Sequence, residues 1–327
     1  MSKTLRRVLF SLLALFLVLG VASVAGFFWV TSGIGITKAN PDADQRDEAV
    51  YLVMIRDTRA GGNAELLKSG DASASDVGRT DAMVLARVLP DESIDLVSIP
   101  RDTVVDIPAC ERSDGSKSEP AHTKINAAYA YGASAVVNES ASEAGMQCAS
   151  RTVSMMTGLT LGGSIVLDSK GVEGVVDKLG GVKLCATAEQ AAAIPGMPEG
   201  CNVVDGQTAF DFSRARDGVD DGSDLARIER QQQLLQAVAT ELRGLSIPGD
   251  VPTLLSMSHD LGSHVTATKG VISLGNASMV LSTLKKGKIQ TETVPVNLTA
   301  DGNNVVVSES AKAWWRALAE GAPLPTK

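Results

Sequence analysis

The chain is poor in the residues that most metal and nucleophile chemistry needs. It has three histidines (His122, His259, His264) and four cysteines in 327 residues, and none of the cysteines forms a Cys-x-x-Cys pair. The cysteine spacings are too wide for a zinc site, and three scattered histidines cannot complete one. Three histidines scattered among loops argue against a nucleophilic triad as the organising idea. Neither a Walker loop nor a Gly-x-Gly-x-x-Gly run with a suitable lysine occurs, which disfavours a kinase. Basic clusters are also missing beyond the N-terminus, and the formal net charge is −8. Nucleic acid therefore has no electrostatic footprint, and no helix-turn-helix signature is visible.

The N-terminus supplies what the rest lacks, a long hydrophobic run. Lys3, Arg6 and Arg7 precede an uncharged stretch from Val8 to Val30. As a helix it would span about 35 Å, enough for a hydrocarbon core of about 30 Å. The run is longer than a signal-peptide core, so a retained anchor is expected over cleavage near Ser23-Val24-Ala25. Positive charge before the span predicts residues 1–7 in the cytoplasm, residues 8–30 in the cell membrane as a single pass, and the remainder outside. Residues 31–48 read as a polar tether, and one domain is expected over 49–327. Export makes disulfides the expected state of Cys110, Cys148, Cys185 and Cys201. Of three possible connectivities, Cys110–Cys148 and Cys185–Cys201 close the shortest loops and are preferred.

Short apolar runs at Ala49–Ile55, Met83–Val88 and Ile94–Ile99 are expected strands, as are Ser164–Leu167, Val182–Cys185 and Ile289–Val296. Helices are expected over Lys124–Ala144, Lys170–Leu179, Asp224–Arg243 and Thr268–Thr283. The alternation argues for α/β. Residues 60–78 read as a surface insertion, and Trp314-Trp315 as packing.

Charged clusters flank the strands: Asp57-Thr58-Arg59, Arg79-Thr80-Asp81 and Arg101-Asp102. One such pair would be an ordinary surface ion pair. Three of them, each carrying Arg and Asp at a strand end, suit a phosphate held by guanidinium forks beside a carboxylate-bound cation. Arg214 and Arg216 are expected on one face of an extended segment. Arg227 and Gln231, four apart, share a helix face and are expected to turn to the ligand, whereas Glu229 and Arg230 read as exposed charge on the same helix.

The segments DTR, GRTDAMVLARV, LVSIPRDT, KINAAYAYG, VVDKLGGV, DGQTAFDFSRAR and ARIERQ, in this order between about Tyr51 and Gln233, resemble the LytR-CpsA-Psr family of bacterial cell-wall glycopolymer ligases. The resemblance implies a three-layer α/β/α domain with a mixed central sheet and a hydrophobic tunnel for a polyprenyl chain. It implies a magnesium-dependent phosphotransferase, with manganese as an alternative ion, moving a glycan from a polyprenyl pyrophosphate to peptidoglycan or a surface glycoprotein. By the family's pattern Asp57 and Asp81 would hold the metal, and Arg59, Arg79, Arg101, Lys124, Arg214, Arg216, Arg227 and Gln231 would contact pyrophosphate. Lys124 rests on the resemblance alone. Arg79, Arg101, Arg214 and Arg216 would also serve catalysis, and Asp102 would orient the acceptor or act as base. Ile55 stands where the family usually has glycine. Two other readings use the same site: hydrolysis of the lipid pyrophosphate by water, and an envelope protein that binds the lipid without catalysis.

Overall fold

The computed structural model describes residues 35–37, 50–58, 77–89, 93–133, 139–215, 218–220, 224–244, 262–269, 271, 287–300, 302 and 304–325. In chain order the strands are β1 (Gly35–Thr37), β2 (Val50–Asp57), β3 (Arg79–Val88), β4 (Ile94–Ile99), β5 (Val104–Ile107), β6 (Ala121–Lys124), β7 (Leu161–Asp168), β8 (Val182–Ala186), β9 (Gly200–Val204), β10 (Val265–Thr268), β11 (Ile289–Thr293), β12 (Val296–Leu298) and β13 (Val305–Val307). The helices are α1 (Ala128–Gly132), α2 (Glu139–Thr157), α3 (Ser169–Lys178), α4 (Ala188–Ala193), α5 (Gly206–Arg214), α6 (Asp224–Gly244) and α7 (Ala311–Glu320). Seven strands form one mixed sheet in the order β1-β10-β7-β2-β3-β4-β11. Strands β2 to β4 run antiparallel, and β7 lies parallel to β2.

The period of two along β2 divides the molecule. Leu52 and Met54 are fully buried and pack with Tyr129 of α1, Met146 and Val153 of α2, and Trp314 and Leu318 of α7. Val53 and Ile55 face the other way, toward α3 and α6 across an apolar cavity. Helices thus cover both faces of a mixed sheet. Arg87 pins the last of them: fully buried, it pairs with Asp95 at 2.6 Å and donates to the carbonyls of Ala317 (2.6 Å) and Ala322 (2.8 Å) just where α7 ends. Ala317 lies in the last turn of α7, its carbonyl also accepting from the Ala322 N–H, and Ala322 lies just beyond the helix end.

Both disulfides have the preferred connectivity, Cys110–Cys148 and Cys185–Cys201. The second joins directly opposed residues of β8 and β9. Several expectations are corrected. Lys124 ends β6, and Lys124–Ala144 is a 3-10 turn, the short α1 and then, after a segment outside the described residues, the start of α2. A run of Ala and Tyr looks helical whether it makes one turn or five, and at Gly132, the last residue of α1, a Cβ would lie 2.2 Å from the Ala144 carbonyl oxygen of α2. Strand β2 runs two residues past Ile55, and β3 starts at Arg79, so Asp57, Arg79 and Asp81 belong to the strands themselves, whereas Arg101 and Asp102 sit in the turn after β4. Arg214 closes helix α5 where an extended segment was expected, because Asp205 caps that helix by accepting from the Thr208 N–H. Thr268 belongs to β10, and most of the expected Thr268–Thr283 helix lies outside the described residues. Ile289–Val296 is divided at Val294-Pro295 into β11 and β12. Gly35–Thr37, read as tether, adds an edge strand parallel to β10. Among the described residues no helix is long and apolar enough to cross a membrane. The Val8–Val30 run lies outside them, as do Arg59 and Arg216.

Candidate functional site

Asp57 and Asp81 reach one small pocket through a strand irregularity. Along β2, Ile55 and Asp57 share a face by alternation. Along β3 the register with β2 jumps from Ala82 opposite Ile55 to Thr80 opposite Arg56, which leaves Asp81 as an extra residue. Such a bulge re-aims a side chain, and Asp81 here lines the same pocket as Asp57. Strict alternation would have sent Asp81 and Ala82 to opposite faces. Gly78 permits the approach of the two strands: its φ is +71°, and a Cβ there would lie 2.3 Å from the Asp57 carbonyl oxygen.

Cations surround the carboxylates. The Arg101 guanidinium donates to Asp81 at 2.5 Å, and Arg214 lies 3.8 Å from Asp57 with its guanidinium 5.3 Å from the centre of the Phe210 ring. Asp102 accepts from Lys124 at 3.0 Å and lies 3.9 Å from Arg101. A carboxylate so engaged is a brace between Arg101 and Lys124, which fits a positioning role better than that of a base. Lys124 is therefore drawn to the site by Asp102, a link that no spacing in the sequence reveals. Arg79 is exposed at the start of β3, opposite Asp57.

Behind these groups lies a cavity of about 210 Å³, between the sheet and helices α3 and α6. Val53, Val84, Leu96, Leu167, Val175 and Leu235 are among its apolar walls. Asp81, Arg101 and Gln231 line it too, and Asp81 and Gln231 also line the small carboxylate pocket, of about 20 Å³. Polar pocket and apolar cavity thus share walls. Gln231 faces both, whereas Arg227, one turn earlier on α6, is buried and lines neither.

Arg230 departs most from the expectation. Read as exposed charge, it is 1% exposed. Its guanidinium donates to the carbonyls of Phe212 (3.1 Å) and Ala215 and pairs with Asp220, so it ties the end of α5, and with it Arg214, to α6. Glu229 is exposed as expected. Helical spacing could not separate the two, because the partners of Arg230 are backbone carbonyls that come close only once α5 and α6 pack.

Two carboxylates in a pocket of one-water size fit a magnesium ion, which takes one or two carboxylates and completes its shell with waters and substrate phosphates. Among the described residues no group of three or more His, Cys, Asp or Glu side chains could hold a metal by itself. A cation here would accordingly depend on its bound oxygens.

The LytR_cpsA_psr family profile matches residues 33–320. Among curated relatives, the probable cell wall biosynthesis protein LcpB of Corynebacterium glutamicum is 26% identical over 87% of this chain and 64% of its own length. A polyisoprenyl-teichoic acid–peptidoglycan teichoic acid transferase, TagU of Oceanobacillus iheyensis, is 30% identical over 55% of this chain and 52% of its own. The chain thus spans about half to two-thirds of the length of these relatives. Among solved structures, YwtF (TagT) with bound octaprenyl pyrophosphate lipid superposes with a TM-score of 0.56 at 16% identity, covering 87% of this chain and 96% of that one, which is a likeness of fold. With the profile spanning most of the sequence, the chain belongs to the LytR_cpsA_psr family.

Proposed function

We propose that this chain is a phosphotransferase that moves a glycopolymer, with its linking phosphate, from a polyprenyl-pyrophosphate carrier to a hydroxyl of peptidoglycan. The observation that carries this reading is an apolar cavity lined also by Asp81, Arg101 and Gln231, which shares Asp81 and Gln231 with the carboxylate pocket beside it. That combination matches a ligand with a hydrocarbon tail and an anionic head. The names of the relatives support it, since TagU is named as a transferase of teichoic acid to peptidoglycan and TagT was solved with a prenyl pyrophosphate.

In the proposed reaction an acceptor oxygen attacks the glycan-side phosphorus. The bond from that phosphorus to the bridging oxygen breaks, polyprenyl monophosphate leaves, and the acceptor proton passes to solvent. The protein then needs to position and neutralise, with no covalent intermediate. Arg101 and Arg214 bind phosphate oxygens and stabilise the charge that develops on the leaving phosphate. Asp102 and Lys124 hold the orientation of Arg101. Asp57 and Asp81 would hold magnesium, which when bound offsets phosphate charge. The four disulfide-bonded cysteines favour an oxidising compartment, and with the Val8–Val30 run they support a chain anchored by one membrane pass and active on the outer side.

The test is a reaction of the full chain in detergent with magnesium, a short polyprenyl-pyrophosphate oligosaccharide and peptidoglycan fragments, following lipid monophosphate and glycan together. Lipid release that requires the acceptor, with glycan joined to the fragment through phosphate, is the expected result. Release without acceptor would replace transfer by hydrolysis. Saturable lipid binding with no release would leave a binding protein.

A further inference from the structure

Ser169 opens α3 and lines the small pocket beside Asp57 and Asp81. It is fully buried, and among the described residues its hydroxyl has no hydrogen-bond partner. The other hydroxyl lining that pocket, Ser213, is satisfied by the Phe210 carbonyl at 2.8 Å. A buried hydroxyl without a partner is costly to keep, and such groups call for an explanation at their own site. The usual outlet at a helix start is closed here. Asp168 already caps α3 by accepting from the Gly171 N–H at 3.0 Å, so the Ser169 side chain is not needed as the cap.

We propose that Ser169 is a further binding residue of this pocket, its hydroxyl donating to a ligand oxygen carried in with the cation between Asp57 and Asp81. The inference rests on the metal-site reading above. Two features identify the atom facing Ser169 as an oxygen and not the cation. The N-terminal end of a ten-residue helix favours negative charge, and a cation held by only two carboxylates must complete its shell with oxygens from water or phosphate. The oxygen is either a water of the cation's shell or a phosphate oxygen of the lipid head, and the chemistry that Ser169 supplies is the same for both.

Ser169→Ala in the full chain tests this by binding and thermal stability, with Mn2+ as the spectroscopic probe and geranyl pyrophosphate as the anion. Without ligand, the variant should melt at or above the wild-type temperature, because the hydroxyl it loses satisfies nothing. About tenfold weaker Mn2+ binding in the variant would assign the oxygen to the cation's water shell, in keeping with the usual effect of losing such a supporting contact. Unchanged Mn2+ binding with about tenfold weaker geranyl pyrophosphate binding in the presence of Mn2+ would assign it to phosphate. Wild-type affinity for both overturns the proposal while leaving the metal site standing. A variant that melts markedly lower without ligand shows a structural partner for the hydroxyl and also overturns it. A wild-type chain that binds no Mn2+, alone or with geranyl pyrophosphate, overturns the metal reading and this inference together.

Discussion

Arg101 illustrates how one side chain is made specific by its neighbours. Asp81 accepts from its guanidinium at 2.5 Å and Asp102 stands on its other edge, so the fork is oriented before any ligand arrives. Orientation of a charged donor is worth most where phosphate charge develops. Arg101→Ala should therefore lower transfer at least a hundredfold, while circular dichroism and the melting curve stay close to wild type. Arg101→Lys should recover little, because an ammonium cannot present two parallel donors. Near-wild-type turnover in the lysine variant would remove the fork from the argument. Asp57, Asp81, Arg79 and Arg101 were visible in the sequence as charged residues beside apolar runs. Ser169 and Arg230 were not, since what distinguishes them is burial and partnership, and neither has a period.

At the scale of elements, two helix starts hold the site in place. Helix α5 carries Arg214 at its last turn and is capped by Asp205, whose carboxyl is held below its ordinary range by the hydrogen bonds from Thr208. Asp205→Ala should cost about 1 kcal/mol in a denaturant titration. Helix α3 starts from Asp168, which also binds His264 at 3.0 Å and so connects β10 to the same helix end. The Asp168 hydrogen bond raises the His264 pKa against a smaller opposing effect of burial, with Lys170 lowering it and Glu173 raising it further. The folded-state pKa lies above the unfolded value of about 6.5. This contribution to stability is therefore complete below about pH 6.5 and is lost as pH rises through the folded value. The melting temperature of the wild type should fall over that rise, and His264→Asn should flatten the fall. Equal slopes in the two proteins would show that the pair is not coupled to folding.

Across the whole molecule, the two disulfides and the sheet–helix cavity act on different properties. Cys110–Cys148 closes a sequence separation of 38 residues and Cys185–Cys201 one of 16. The chain-entropy relation gives about 4 and about 3 kcal/mol for these loops. Removing the first pair as Cys110→Ala/Cys148→Ala should thus lower stability more than removing the second, as read from denaturant midpoints. On the proposed reading the cavity would instead govern which lipid enters. Leu235→Trp on α6 would fill part of it, and the variant should bind long prenyl pyrophosphates more weakly than wild type while binding geranyl pyrophosphate nearly as well. Equal weakening for both chain lengths would mean that the cavity does not receive the tail.

Much of the architecture was legible because it rests on local periodicity. The strand runs Met83–Val88 and Ile94–Ile99 and the helix from Asp224 carry their pattern in the order of their residues, and the disulfide pairing followed from loop length. Where apolar composition suits two structures, as in Lys124–Ala144, the sequence alone leaned to one long helix. Tertiary packing alone decided the site. The bulge that turns Asp81 toward Asp57, the carbonyls that capture Arg230, and the brace of Asp102 on Lys124 all join residues brought together by strand register and helix packing. A sequence determines by itself which residues can be charged, apolar or helical. Which of them share a pocket depends on contacts between distant segments, and those exist only after the chain has closed on itself.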